Sequence, residues 1–278
     1  MNMIIHDESA VETDLIEELK IDCSKCSGLC CTALFFSEMD GFPEDKAAGK
    51  PCINLQSDFR CKVHTELMKR NMKGCIGYDC FGAGQKVTEA IYNSNWRTEP
   101  TKSQEMFNVF LVTFQIHQIL YFLAEAKTII PARELWSRLN ALIKEGRDIC
   151  KASPHDILLY DIDGYRKQVN ECLRKVKNLV KSIYNHKKEE YKRNFIGKSY
   201  KGKKFDGVDL SMSLLISTNF EGCSFHGANF LGADTRDTNF NSADLREAVF
   251  LTQGQVNSAR GNSDTKLPRK LCRPITWI

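Results

Sequence analysis

Four cysteines fall within the nine residues Cys23-Ser24-Lys25-Cys26-Ser27-Gly28-Leu29-Cys30-Cys31. Thiols this dense act as disulfide staples, redox centres or soft-metal ligands, and the compartment separates these roles. Residues 1–20 carry six acidic side chains against one basic, with no basic start followed by an apolar run, so no export signal is expected. The apolar run Met106 to Ala126 is broken by Asn108, Gln115, His117 and Gln118, which are costly at mid-bilayer. It reads as a buried helix, and the chain as cytoplasmic with no membrane partner. Staples are disfavoured there, which leaves metal or redox chemistry.

Eight of the twelve cysteines lie between Cys23 and Cys80, while Cys150, Cys172, Cys223 and Cys272 are scattered singly. The scattered ones read as small apolar residues. The eight are Cys23, Cys26, Cys30, Cys31, Cys52, Cys61, Cys75 and Cys80. Thiolates two to four residues apart can wrap one soft ion, because a tight turn brings both sulfurs to one point. Eight suffice for two zinc sites of four thiolates, or for one iron-sulfur cluster with ligands to spare. Adjacent Cys30 and Cys31 are strained as a mutual pair, so they point to different metals or to one bridged centre. His64, three residues after Cys61, is a possible substitute ligand. Zinc is the first expectation, and iron or an iron-sulfur cluster the alternative.

The segments CSKCSGLCC, KPCINLQSDFRCKVH and KGCIGYDCFGAG resemble the bacterial CxxCxxCC family of zinc- or iron-chelating proteins. Here three residues rather than two precede the doublet. The resemblance covers roughly 60 residues and implies a metal at the eight cysteines, without naming which metal or for what purpose.

From about Val87 to Tyr191 glycine and proline are few and apolar residues recur at helical spacing. Leu135, Leu139, Leu142 and Ile143 mark one face, and Val169, Leu173, Val176, Val180 and Ile183 another. Ser153-Pro154 reads as a helix cap with proline in the first turn, and His117 as a core histidine. Between Arg174 and Lys204 there are twelve basic residues and two acids, interleaved with Tyr184, Tyr191 and Tyr200. That makes a nucleic-acid partner conceivable at 174–204, although a solvated helix face explains the charge equally simply and is preferred.

Large apolar residues then recur every five: Phe195, Tyr200, Phe205, Leu210, Leu215, Phe220, Phe225, Phe230, and after a lapse at Thr235, Phe240, Leu245 and Phe250. Small residues precede many of them by two, such as Cys223, Ala228 and Ala243. Neither an α-helix nor a flat strand has this period. GANF, GADT, SADL and EAVF resemble the units of pentapeptide-repeat proteins. That resemblance implies a right-handed quadrilateral β-helix of about three coils in which residues 20 apart stack. The closing sequence containing Leu267, Pro268, Leu271 and Trp277 is similar to the endings of such repeats and implies a cap. Relatives of this kind often dimerise through a capped end, so a homodimer is a further expectation.

The predicted architecture is therefore α plus β-solenoid: an acidic arm or helix (1–20), a cysteine-rich metal-binding module (21–88), an α-helical region with a basic end (89–194), a pentapeptide-repeat β-helix (195–260) and a C-terminal cap (261–278). The expected function is that of a zinc- or iron-binding interaction scaffold for an unknown protein partner. An iron- or redox-dependent enzyme using the cysteines is the alternative, and a DNA- or topoisomerase-interacting effector a second. No nucleophile–base spacing is visible, with only Asp58, Asp79 and His64 near the thiols, so the balance falls against an enzyme. Between Phe195 and Arg260 seven basic residues meet seven acids. Such a neutral face suits a scaffold better than a mimic of DNA.

Overall fold

The computed structural model describes residues 5–184 and 193–277. The basic stretch is thus described only in part, and Tyr191 lies outside the described residues. The chain divides into two compact units, one of Val11–Ala124 with Trp136–Cys172, the other of Met1–Ala10, Glu125–Leu135 and Leu173–Ile278.

In the first of these units, short helices α1 (Thr13–Glu18), α2 (Leu29–Ala33), α3 (Lys73–Ile76) and α4 (Ala83–Gln85) alternate with turns, and α4 runs into a π-helical turn, Lys86–Tyr92. Longer helices follow: α5 (Ser103–Thr128), α6 (Trp136–Ile149), α7 (Pro154–Leu159) and α8 (Ile162–Ile183). α5 is apolar and long enough to cross a membrane by length and composition, yet 56% of its apolar window is buried within the protein. Its Phe107, Val109 and Phe110 pack with Leu29, Ala33, Ala83, Val87 and Ile157, so the helix forms the floor on which the cysteine turns are laid. α7 starts as its sequence predicts, with the Ser153 hydroxyl accepting the Asp156 N–H and Pro154 in the first turn. Arg147 of α6 holds Glu12, Asp14 and Glu18 at 2.7–3.2 Å, which ties down the acidic N-terminal helix α1.

The expectation of a C-terminal β-helix solenoid is overturned. Among the described residues there is no β-strand and no sheet; the named elements are helices, α9 (Gln253–Ser258) being the last. The reason lies in the five-residue period. Each unit turns a corner too soon for consecutive residues to pair, so pairing is confined to isolated parallel bridges, including Asn194↔Leu214, Lys204↔Ser224, Leu214↔Asp234 and Ser224↔Asp244. Each corner is a turn such as that closed by Lys198 N–H on Phe195 O (3.0 Å). Its third residue is left-handed at every unit from Gly197 to Ser242, glycine at Gly197, Gly202 and Gly207 but Met212 and Ser217 in the next two. A positive φ at that place is the type II turn pattern.

Side chains supply the rest of the cohesion. Phe205 stacks on Phe225 (5.4 Å between centroids) and Phe220 on Phe240 (6.0 Å). The small inward residues donate to the preceding layer: Thr218 to Phe195 O, Cys223 to Tyr200 O and Thr238 to Leu215 O. These bonds account for the donor-bearing side chains at Thr218, Cys223 and Thr238, while alanine fills the same slot at Ala228, Ala233, Ala243 and Ala248.

Where the period fails, α9 takes over. Thr252 and Gln255 form a capping box, and Gln255 Nε2 also donates to Phe230 O and Ala233 O. Leu271 and Trp277 are buried in the same core, and the Trp277 indole N–H donates to Ala259 O at 3.2 Å. Alongside, Ile5 N–H donates to Glu247 and Glu125 accepts the Phe250 N–H at 2.6 Å while pairing with Lys270. The end of α8 lies along the side of the coils: Lys177 pairs with Asp209 at 3.1 Å, and Tyr184 lies against Gly207 and Gly227 of successive layers.

Candidate metal centre

The eight clustered thiols are presented by turns rather than by regular elements. Asp22 accepts the Ser24 N–H and caps the 3-10 turn Cys23–Lys25. Gly28 is left-handed (φ 69°) and opens α2, where Cys30 and Cys31 sit. A side chain there would need a strained backbone, and a Cβ would stand 2.7 Å from Leu55. The Cys52–Cys61 loop folds back through the bridge Leu55↔Cys61 and joins α2 through Cys52 N–H to Cys31 O, 2.9 Å. Cys75 is carried by α3. Cys80 precedes two left-handed residues, Phe81 and Gly82, and that turn is pinned by Phe81 N–H on Asp79 (2.7 Å) and by His117 on Phe81 O (2.7 Å).

His117 is therefore a core residue with a task. A carbonyl can only accept, so its Nδ1 carries the proton and its buried Nε2 has no partner among the described residues. Burial lowers its pKa, with nearby Glu18 opposing and Lys86 reinforcing that shift. Glu18 is held below the usual carboxylate range, the pull of Lys86 and Arg147 outweighing burial.

All eight thiols are free, and seven are half-buried, Cys23 being exposed. They fall into two packing neighbourhoods. Cys26, Cys30 and Cys80 line the cluster around Leu29, Ala83, Val87 and Phe110. Cys52, Cys61 and Cys75 line another, around Phe36, Phe42, Val63 and Met72. Electrostatic neighbours divide the same way. Cys80 acts on Cys23, Cys26 and Cys30, whereas Cys31 and Cys52 act on Cys61 and Cys75. Cys31 also reaches Cys23 and lies beside Cys30, Sγ to Sγ 3.8 Å.

Burial pushes Cys26 up to about 11 and Cys75 to about 12. In the doublet Cys30 keeps the proton and donates it toward Cys31, so Cys30 rises and Cys31 falls. Lys46 also lowers Cys31. Its ammonium donates to the carbonyls of Thr32, Leu34, Ala47 and Lys50 at 2.5–3.2 Å and stands over the Phe36 ring, a fixed positive charge beside the second thiol set.

Whether these residues suit a soft ion can be judged from the chain itself. Among the described residues no three His, Cys, Asp or Glu side chains converge tightly enough to grip one ion as they stand; the sulfurs are gathered rather than converged. Their surroundings suit thiolates nonetheless. Backbone N–H groups of Leu29 and Gly28 serve Cys26, those of Gly84 and Gly82 serve Cys80, that of Val63 serves Cys61, and Asn54 N–H lies 3.4 Å from Cys52 Sγ. Such donors stabilise the deprotonated sulfur that a metal requires. The donor set therefore fits a zinc- or iron-class ion.

His64 is exposed on the 3-10 turn His64–Glu66. Two residues went unnoticed in the sequence. Lys46 is one. The other is Tyr78, whose phenol is buried without a partner among the described residues; burial, with Cys30 and Cys80 nearby, raises its pKa. Asp79, half-buried, is raised as well by its desolvation.

Comparison with known proteins defines the class. A family model for pentapeptide repeats matches eight copies over residues 204–241 and 223–251, so this part of the chain consists of pentapeptide repeats. It is 37% identical over 275 residues to the uncharacterized protein YybG of Bacillus subtilis (strain 168), covering 97% of this chain and 99% of YybG; the chain belongs to the family of that protein. A 58-residue stretch is 38% identical to the UPF0153 protein YeiW of Escherichia coli (strain K12), covering 20% of this chain and 67% of YeiW.

Proposed function

We propose that this chain is a metal-binding pentapeptide-repeat protein in which thiolates from Cys23 to Cys80 hold zinc, or alternatively iron, and the repeat serves as a rigid scaffold for a protein partner. The observation that carries this reading is the gathering of eight free thiols with backbone N–H groups directed at four of their sulfurs. Burial holds the Cys26 and Cys75 thiols protonated, a cost that a bound cation would offset, and Lys46 supplies only one charge beside them. Sites closed by four thiolates leave no open position for substrate, which supports a structural role for the metal. The proposal is tested by alkylation of the native protein with and without a strong chelator. Protection of the eight cysteines that the chelator abolishes supports it; equal, rapid reaction in both conditions refutes it.

A further inference from the structure

The doublet Cys30-Cys31 raises a question that a metal-binding reading leaves open: whether eight thiolates form one shared centre or two. Three independent features bear on it. On α2, successive residues project about 100° apart, so the two sulfurs leave the helix in different directions while staying 3.8 Å from each other. The apolar surroundings differ, since Cys30 shares the α5-side cluster with Cys26 and Cys80, whereas Cys52, Cys61 and Cys75 share the cluster around Phe36 and Val63. The backbone agrees. Cys31 is joined to Cys52 by the latter's N–H, and Cys26 is brought to the Cys80 turn so closely that a Cβ on Gly84 would lie 2.6 Å from its sulfur.

We infer that the thiols form two adjacent four-sulfur centres, Cys23, Cys26, Cys30 and Cys80 in one and Cys31, Cys52, Cys61 and Cys75 in the other, with the doublet as the divide. This inference rests on the metal-binding reading and refines it from a cluster to a count and a partition. The two centres also differ in their surroundings: Lys46 acts most on Cys52 and Cys31 of the second and then on Cys30 at the divide, while the first has the phenol of Tyr78 beside Cys30 and Cys80.

The experiment is native mass spectrometry of the full chain, reduced and titrated with zinc. The wild type should take two ions, the Cys26→Ser/Cys80→Ser variant one, the Cys61→Ser/Cys75→Ser variant one, and the quadruple variant none. Folding defects are bypassed by a second measurement on the wild type: in the species carrying a single zinc, fragmentation should find the ion on cysteines of one set only. A single-zinc species that links Cys26 with Cys75, or a cluster whose ions share thiolates across the two sets, overturns the partition while leaving metal binding intact. A wild-type chain that takes no zinc overturns the metal-binding reading itself.

Discussion

Cys30 and Cys31 keep their sulfurs 3.8 Å apart without a bond between them, and each looks to a different group of partners. The Cys30 thiol donates toward Cys31, which raises Cys30 and lowers Cys31. A divide of this kind needs the short helix α2 and the left-handed Gly28 that starts it.

Gly84 is a sharp probe of the first thiol set. It lies inside α4 with no positive φ, so alanine there should gain about 1 kcal/mol from helix propensity. Its Cβ would instead lie 2.6 Å from Cys26 Sγ. Gly84→Ala should lower the melting temperature and weaken zinc binding, and Cys26→Ala should cancel the loss of stability in the double variant. Independent, additive effects would dismiss the contact.

The Lys46 ammonium lies within 2.5–3.2 Å of four carbonyl oxygens, so at least one of its three N–H groups is shared, and methionine in its place leaves them without that donor. Lys46→Met should cost roughly 1–3 kcal/mol in chemical denaturation, the usual penalty for stranded acceptors. Arginine should not restore it, since a planar guanidinium cannot replace a compact ammonium. Full rescue by arginine would count against this geometry.

The turns of the repeat separate strain from crowding. Gly202 has φ 70° and open space where a Cβ would point, so Gly202→Ala should cost about 1–2 kcal/mol for the left-handed backbone alone. Gly207 has φ 68° and a Cβ there would lie 2.5 Å from Tyr184 Cβ. Gly207→Ala should therefore cost clearly more, and thermal melts of the two variants will rank them. Equal losses would mean that Tyr184 does not press on the turn.

Much of this arrangement was legible in advance, because it is written in spacing. The eight thiols are local in sequence, and the five-residue period of Phe195 to Phe250 admits few folds. What misled was the step from that period to strands. A corner after every unit leaves single bridged residues such as Ser224 and Asp244, joined from layer to layer by backbone bonds such as Phe205 N–H to Ser224 O and Asp244 N–H to Cys223 O, with the Thr218 and Thr238 side chains adding to them. Lys46, Tyr78 and the role of His117 were hidden because each depends on a contact distant in sequence. His117 meets Phe81 across 36 residues, and nothing in its own helix signals that bond.

Histidine burial gives the unit containing the repeat a pH dependence. His6 donates from Nδ1 to Thr128 Oγ1, itself a donor to Glu125 O, and burial lowers its pKa from 6.5, with Glu125 opposing and Lys270 reinforcing. The unfolded chain thus binds this proton more readily. Stability should be full above pH 6.5 and decline as pH falls through the unfolded value toward the lowered folded one. His6→Gln should flatten part of that slope between pH 7 and 5 in denaturant titrations. An unchanged slope would show that His6 is not responsible.

The most direct measurement is the metal content of the full chain purified under reducing, oxygen-free conditions, read by mass spectrometry of the elements alongside the visible spectrum. Metal binding through two closed thiolate sites should give about two zinc ions per chain and no colour, with broad visible absorption if iron takes their place. A metal-free protein that cannot be loaded with either ion, and whose eight clustered cysteines all react rapidly with a thiol reagent, would contradict it.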